Sequence, residues 1–210
     1  MAAAAATIYN EVKTEEKLLA FTFDDGPNPE WTPQFLEQFK AYGGKATFYV
    51  HGTNMEKYPD IARRIVEEGH ELGNHSYSHP HLPELDREGQ AAELQRAEQL
   101  ITAVTGSRPK TFRPPYLAVN DELLDVAGEF GYAVIHGVNL NANDWDMPGI
   151  SHIVDTTLAV MRSGSILLFH DGFGDRSQSL AAISILLEKA AAQGYRFVTV
   201  SELLGLQSKQ

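Results

Sequence analysis

The 210-residue sequence predicts a single α/β domain, a distorted (β/α)7-type barrel. Three observations carry that expectation. Short apolar, β-branched runs alternate with amphipathic stretches along the whole chain. The repeat is about 30 residues, the length of a β-then-α unit, and such units stack as a parallel sheet covered by helices. No linker, low-complexity tract or internal repeat interrupts the chain after Ala6. Seven units is one short of the eight-stranded barrel, so an irregular or incomplete barrel is preferred to an open doubly wound sheet. The domain is expected over residues 16–206, behind an N-terminal tail of residues 1–15.

The elements follow in order. Leu18–Phe23 reads as the first strand. Thr32-Pro33 supplies a cap residue and a proline at the first helical position, Phe35, Leu36, Phe39 and Tyr42 recur at helical spacing, and Gly43-Gly44 closes that helix. Ala46–Val50 is the second strand, Pro59–Glu68 a helix ended by Gly69, and Glu71–Asn74 the third strand. Glu88–Val104 is a long helix closed by Gly106, and Thr111–Arg113 a brief fourth strand. Asn120 caps the next helix, Tyr132–Val138 is the fifth strand, and a helix around Ile150–Met161 precedes the apolar strand Ser165–Phe169. Ser179–Gln193 is helical and Arg196–Val200 the last strand.

Composition then excludes. There is no cysteine, so disulfides, thiolate metal sites and thiol nucleophiles are ruled out, and any transition-metal site must use imidazole and carboxylate. Eight histidines are available. A net charge of −11 argues against nucleic acid as the main partner. No run approaches the ~18 apolar residues that span a bilayer. Met1–Ala6 lacks the basic segment and length of a signal peptide.

The chemistry collects after the strands, where such folds place their sites. In order come Asp24-Asp25-Gly26-Pro27, His75-Ser76-Tyr77-Ser78-His79, Arg113-Pro114-Pro115-Tyr116, Asn141-Ala142-Asn143-Asp144-Trp145 and His170-Asp171-Gly172. Singly, each is a common turn, loop or core histidine. Together they place polar groups on one rim. On an extended strand His75 and His79 would stand ~13 Å apart at ~3.3 Å per residue, so they serve a metal only if the chain turns after Asn74. Pro80 disfavours a continuing helix, which leaves one turn or a tight loop. Two imidazoles and a carboxylate form a common catalytic zinc set, with Asp24 or Asp25 as the nearest carboxylate.

These five segments resemble the five motifs of the NodB-homology polysaccharide deacetylases, carbohydrate esterase family four, over roughly Leu18 to Leu204. The fourth departs at Asn141, where that family has Asp. The resemblance implies a distorted barrel and a metal site of Asp25, His75 and His79, holding zinc or alternatively cobalt, nickel or manganese. It further implies Asp24 as general base, Arg113 pairing with it, the backbone N–H of Tyr116 in an oxyanion hole, Asp144 paired with the general acid His170, and Trp145 walling the subsite. The implied activity is N-deacetylation of N-acetylglucosamine units in chitin-type oligomers or peptidoglycan. Alternatives are O-deacetylation of acetylated xylan and a metal-retaining sugar-binding protein without turnover. The implied partner is a carbohydrate, with no nucleic acid and no membrane span. A monomer is expected, in a secreted or cell-envelope setting, the cytoplasm being the alternative. His51, His70, His81, His136 and His152 are given no catalytic role.

Overall fold

The computed structural model describes residues 4–206. The strands are β1 (Ile8–Tyr9), β2 (Leu18–Asp24), β3 (Thr47–Val50), β4 (Glu71–Asn74), β5 (Thr111–Phe112), β6 (Ala133–Ile135), β7 (Ile166–His170) and β8 (Arg196–Phe197). The helices are α1 (Thr32–Ala41), α2 (Gly52–Lys57), α3 (Pro59–Glu67), α4 (Arg87–Thr105), α5 (Asp121–Glu129), α6 (Ile150–Val160), α7 (Ser177–Ala192) and α8 (Val200–Leu204). All strand pairs are parallel, in the order β1-β6-β5-β4-β3-β2-β7, and β8 pairs the start of β2. The curled sheet is the expected distorted barrel. No helix among the described residues is long and apolar enough to cross a membrane.

Strand β2 organises the core. Its seven residues are all buried, and the two-residue period sorts them between faces. Leu19, Phe21 and Phe23 point into the layer beneath the helices, where they meet Phe35 and Phe39 of α1. The Phe23 ring lies 5.0 Å from Phe48 and 4.6 Å from Phe35. Ala20 belongs to the other cluster, with Tyr49, Ile135 and Ile166. Thr22 and Asp24 share that inward side by the same period, so a polar pair tops an apolar barrel interior.

Ladder pairing does not close the sheet between β6 and β7. Val138 N–H donates to Ile166 O (3.0 Å) and Ile166 N–H to Asn10 O (3.3 Å). Above them the Asn139 side chain replaces a strand: its Nδ2 donates to Leu168 O (3.0 Å) and its Oδ1 accepts from Leu168 N–H (2.7 Å).

The structure corrects several sequence expectations. The supposed tail holds β1, in register with Val134 and Ile135, and Ala6 N–H donates to Leu124 O. The ordered fold therefore begins before residue 16; residues 1–3 lie outside the described residues. The last strand stops at Phe197, because Thr199 and Glu202 form a reciprocal capping box that starts α8. Thr32 does not cap α1. Trp31 occupies that position, and Thr32 Oγ1 instead accepts from Asn28 N–H and donates to Asp171.

Candidate active site

Asp24 ends β2 beside His170 at the end of β7; the two are Cα partners in the ladder. A continuing strand would turn Asp25 to the opposite face. Instead Asp25 takes a left-handed backbone (φ 73°), which swings its carboxylate back to the same rim. Gly172 permits this approach: a Cβ there would fall 2.0 Å from Asp25 O.

After β4 the chain turns at once, with Ser76 (φ 65°) and His79 (φ 62°) left-handed. The two imidazoles are thereby brought onto Asp25. His75 Nε2 is 3.4 Å and His79 Nε2 3.2 Å from Asp25 Oδ1. One ligand atom from each of the three residues lies within 4.8 Å of the others. His75 Nδ1 is 2.6 Å from Arg113 O, so it donates there and leaves Nε2 with its lone pair. Asp25 Oδ1 is buried without a hydrogen-bond partner. Burial opposes ionisation of Asp25, but the facing imidazoles of His75 and His79 hold it well below the usual carboxylate range. Burial likewise opposes a charge on His75, yet Asp24 and then Asp25 raise its proton affinity. An orphaned carboxylate oxygen facing two imidazole nitrogens is a receptor for positive charge, and its donor set fits a divalent cation.

Asp24 is held from inside the barrel. Arg113 is fully buried, and its Nη1 donates to Asp24 Oδ1 (2.6 Å) and Thr22 Oγ1 (2.7 Å). Its Nε donates to Ile135 O, its Nη2 to His136 O, and its guanidinium lies 4.3 Å from the Tyr49 ring centroid. A fixed fork with partners on every side orients the carboxylate as well as balancing its charge.

Opposite stands the pair of His170 and Asp144. His170 Nδ1 is 2.7 Å from Asp144 Oδ1, while Asp144 Oδ2 accepts from His170 N–H (2.9 Å) and Ser179 Oγ (2.7 Å). Burial disfavours the imidazolium, but the Asp144 charge and hydrogen bond outweigh it and push His170 up to about 9. His170 is therefore protonated at neutral pH. Asp171 is buried beneath the Asp24-Asp25 turn, and burial pushes it up to about 7.

Asp24, Asp25, His75, His79, Asp144 and His170 line one cleft of about 690 Å³. Its rim is apolar: Tyr116 (66% exposed), Trp145 (55%), Phe173 (50%) and Leu140 (44%) all line it. Tyr116 stands edge-on to His79 at 4.8 Å, and Phe173 stacks on His51 at 5.3 Å. His51 is buried and neutral; burial brings it down to about 4. Its neighbour Asn54 donates Nδ2–H to Asp25 O (2.8 Å). His152 lies against Asn141 O, and His70 accepts from Ala46 N–H below the sheet. The cleft thus gathers Asp24, Asp25, His75, His79, Tyr116, Asp144, Trp145 and His170, with Arg113 directly beneath. Sequence reasoning did not single out Ser179, Leu140 or Phe173. Their partners lie far away in the chain, and no local pattern marks them.

A parallel barrel that brings two imidazoles and a carboxylate beside a second carboxylate and a carboxylate-paired histidine has the layout of a hydrolase. Comparison with known proteins specifies which kind. The sequence profile described as polysaccharide deacetylase matches residues 11–135. A peptidoglycan-N-acetylglucosamine deacetylase of Bacillus cereus is 38% identical over 195 residues, covering 92% of this chain and 91% of that one. Some other relatives are longer, such as PdaC of Bacillus subtilis and PgdA of Listeria monocytogenes, of which the chain spans 39–40%. Among solved structures, the Bc1960 peptidoglycan N-acetylglucosamine deacetylase superposes with a TM-score of 0.89 at 32% identity, covering 95% of this chain and 92% of that one. The Xyl-CE4 domain of a multidomain xylanase from the hindgut metagenome of Trinervitermes trinervoides superposes at 0.83 with 35% identity, covering 92% of each. The chain belongs to the polysaccharide deacetylase family, carbohydrate esterase family 4.

Proposed function

We propose that the protein is a metal-dependent N-deacetylase of N-acetylglucosamine units, with peptidoglycan ahead of chitin-type oligomers. The observation that carries this reading is the pairing of a cation receptor (Asp25, His75, His79) with a charged acid, His170, across one cleft. The near full-length likeness to a peptidoglycan-N-acetylglucosamine deacetylase supports the substrate.

An amide is a poor electrophile with a poor leaving group. When bound, a divalent cation supplies the charge that polarises a carbonyl and acidifies water. Asp24, oriented by Arg113, accepts the proton of the attacking water. The backbone N–H of Tyr116 meets the negative charge that develops on the carbonyl oxygen, a contribution of about 3–4 kcal/mol for one such donor. An amine cannot leave as an anion, so His170 delivers a proton to the nitrogen as the C–N bond breaks, while Asp144 stabilises the imidazolium until then. Trp145, Tyr116 and Phe173 offer apolar faces to a sugar ring. A cell-wall substrate places the enzyme outside the cytoplasm.

O-deacetylation of xylan is the second reading, favoured by the likeness to the xylanase domain. An ester needs the acid less, because an alkoxide leaves more readily than an amide anion. Acetate release measured on peptidoglycan, chitooligosaccharides and acetylated xylan decides. Release from the amide substrates, lost in chelator, is expected; release from xylan alone overturns the N-deacetylase, and release from none leaves a sugar-binding protein.

A further inference from the structure

We propose that Glu93, on α4 and outside the cleft, is a positioning residue that holds the His75–His79 loop in its ligating shape and so sets the affinity for a divalent cation. The proposal rests on His75, His79 and Asp25 being ligands.

The loop must hold two left-handed residues, Ser76 and His79, and a specified peptide orientation between two imidazoles. Backbone hydrogen bonds fix its carbonyls in part, Gly52 N–H donating to Ser76 O (3.1 Å) and Thr53 N–H to Tyr77 O (3.0 Å), but no regular ladder or helix runs through its own N–H groups beyond His75. Each of its five N–H groups nevertheless has a partner. His75 N–H donates to Val50 O (3.1 Å), extending the β3–β4 ladder by one residue. Ser76 N–H donates to Asn74 Oδ1 (2.8 Å), and His79 N–H to Ser76 Oγ (3.1 Å). The two N–H groups at the apex, Tyr77 and Ser78, both donate to Glu93 Oε2, at 2.9 and 2.8 Å. Ser78 Oγ donates to Glu93 Oε1 at 2.8 Å. Successive N–H groups converging on one point form an anion-binding concavity, and here the chain supplies the anion itself.

The position of Glu93 makes it a support and not decoration. Its hydrogen-bond partners are all groups of the loop. The next residue on α4, Leu94, accepts through its backbone oxygen from Asn74 Nδ2 (2.9 Å) at the foot of the same loop. Helix α4 therefore grips the loop at foot and apex, and the apex grip depends on one side chain. Between His75, locked by Arg113 O, and His79, whose N–H is tied only to Ser76 Oγ, the Tyr77–Ser78 segment determines how the second imidazole stands relative to the first. Releasing it leaves the three ligands in place but no longer convergent, which is how partners outside the ligand set act on metal affinity.

The test is zinc titration of the chelator-stripped protein, together with amide hydrogen exchange of the metal-free protein. Glu93→Ala is expected to weaken zinc by about 10–100-fold and to accelerate exchange at Tyr77 and Ser78 beyond the rest of the chain. Glu93→Gln keeps an oxygen that accepts from both N–H groups and is expected to stay within about threefold of wild type. Zinc binding by Glu93→Ala within about threefold of wild type, while His75→Ala abolishes it, overturns the role of Glu93 and leaves the ligand set standing. Zinc binding by His75→Ala at wild-type strength overturns the ligand set and this proposal with it. Should Glu93→Ala not fold, Glu93→Asp, whose carboxylate is withdrawn by one methylene, is titrated in its place. Weakened zinc with an unchanged melting temperature in chelator supports the role, and wild-type affinity overturns it.

Discussion

Each end of the barrel holds a carboxylate, half-buried at one end and buried at the other, and the two are treated in opposite ways. At the N-terminal end, Glu71 opens β4 and both of its oxygens are saturated by neutral donors. Oε2 accepts from Thr47 Oγ1 and Ser201 N–H (both 2.9 Å), and Oε1 from Thr111 Oγ1 (3.2 Å) and Ser201 Oγ (2.6 Å). At the C-terminal end, Asp25 keeps Oδ1 without a hydrogen-bond partner and faces two imidazole nitrogens. The backbone divides in the same way. All eight non-glycine residues with positive φ among the described residues lie beyond strand C-terminal ends, from Asp25 to Phe173. Left-handed geometry at such positions costs of order 1–3 kcal/mol each and persists only when the surroundings impose it. One end is thus built for satisfaction, which gives stability. The other holds unsatisfied charge and strained backbone, which gives a site.

That contrast can be broken by experiment, beginning where the effect is largest. His75→Ala should lose zinc and all measurable acetate release together, and chelation of the wild type should do the same until zinc or cobalt is restored. Retained activity in chelator would remove the cation from the comparison. Asp24→Asn should keep zinc and lose turnover by about 10²–10⁴-fold, because Arg113 still finds an oxygen but no base remains. Asp144→Asn should move the alkaline limb of kcat downward from about pH 9, since only the lesser attraction of Asp24 and Asp25 then opposes burial at His170. The His170–Asp144 pair also stabilises the fold: its contribution is complete below about pH 6.5 and is lost as pH rises through about 9. A limb that stays put in the variant excludes His170 as the acid. Glu71→Ala should have the smallest effect on activity, costing about 2–3 kcal/mol of stability in denaturant titration while zinc affinity stays at wild type. Lost zinc binding there would dissolve the distinction between the ends.

The sequence reveals the active end more fully than the structural one. Five chemically loaded segments each sit at a strand end, so the residues just beyond the strands already assemble the cleft. The parallel, helix-covered sheet is likewise legible in the alternating β-then-α pattern. The features that escape reading do so for physical causes. Strand β1 is two residues long and cannot show a period. Ser179 lies 35 residues from its partner Asp144, and Glu93 looks like any exposed glutamate of an amphipathic helix until its loop partners are seen. Asp25 is named by sequence as a neighbour of Asp24, but only its backbone twist explains how two adjacent carboxylates face one side.

The Asn139 clasp carries a consequence of another kind. Elsewhere around the barrel, consecutive peptide bonds fix the register, so inserting one residue would reverse every side chain beyond it. Across this seam one backbone bond from Val138 and the Asn139 side-chain amide make the connection, and the ladder has no claim on the residues after them. Leu140 and Trp145 of the rim sit on that unladdered stretch, while Asp144 is fastened separately to His170 and Ser179. Lineages can therefore lengthen or rewrite the segment around Leu140 and Trp145 to suit new polymers without rethreading the barrel. The fold's incomplete closure is where its substrate range is free to evolve.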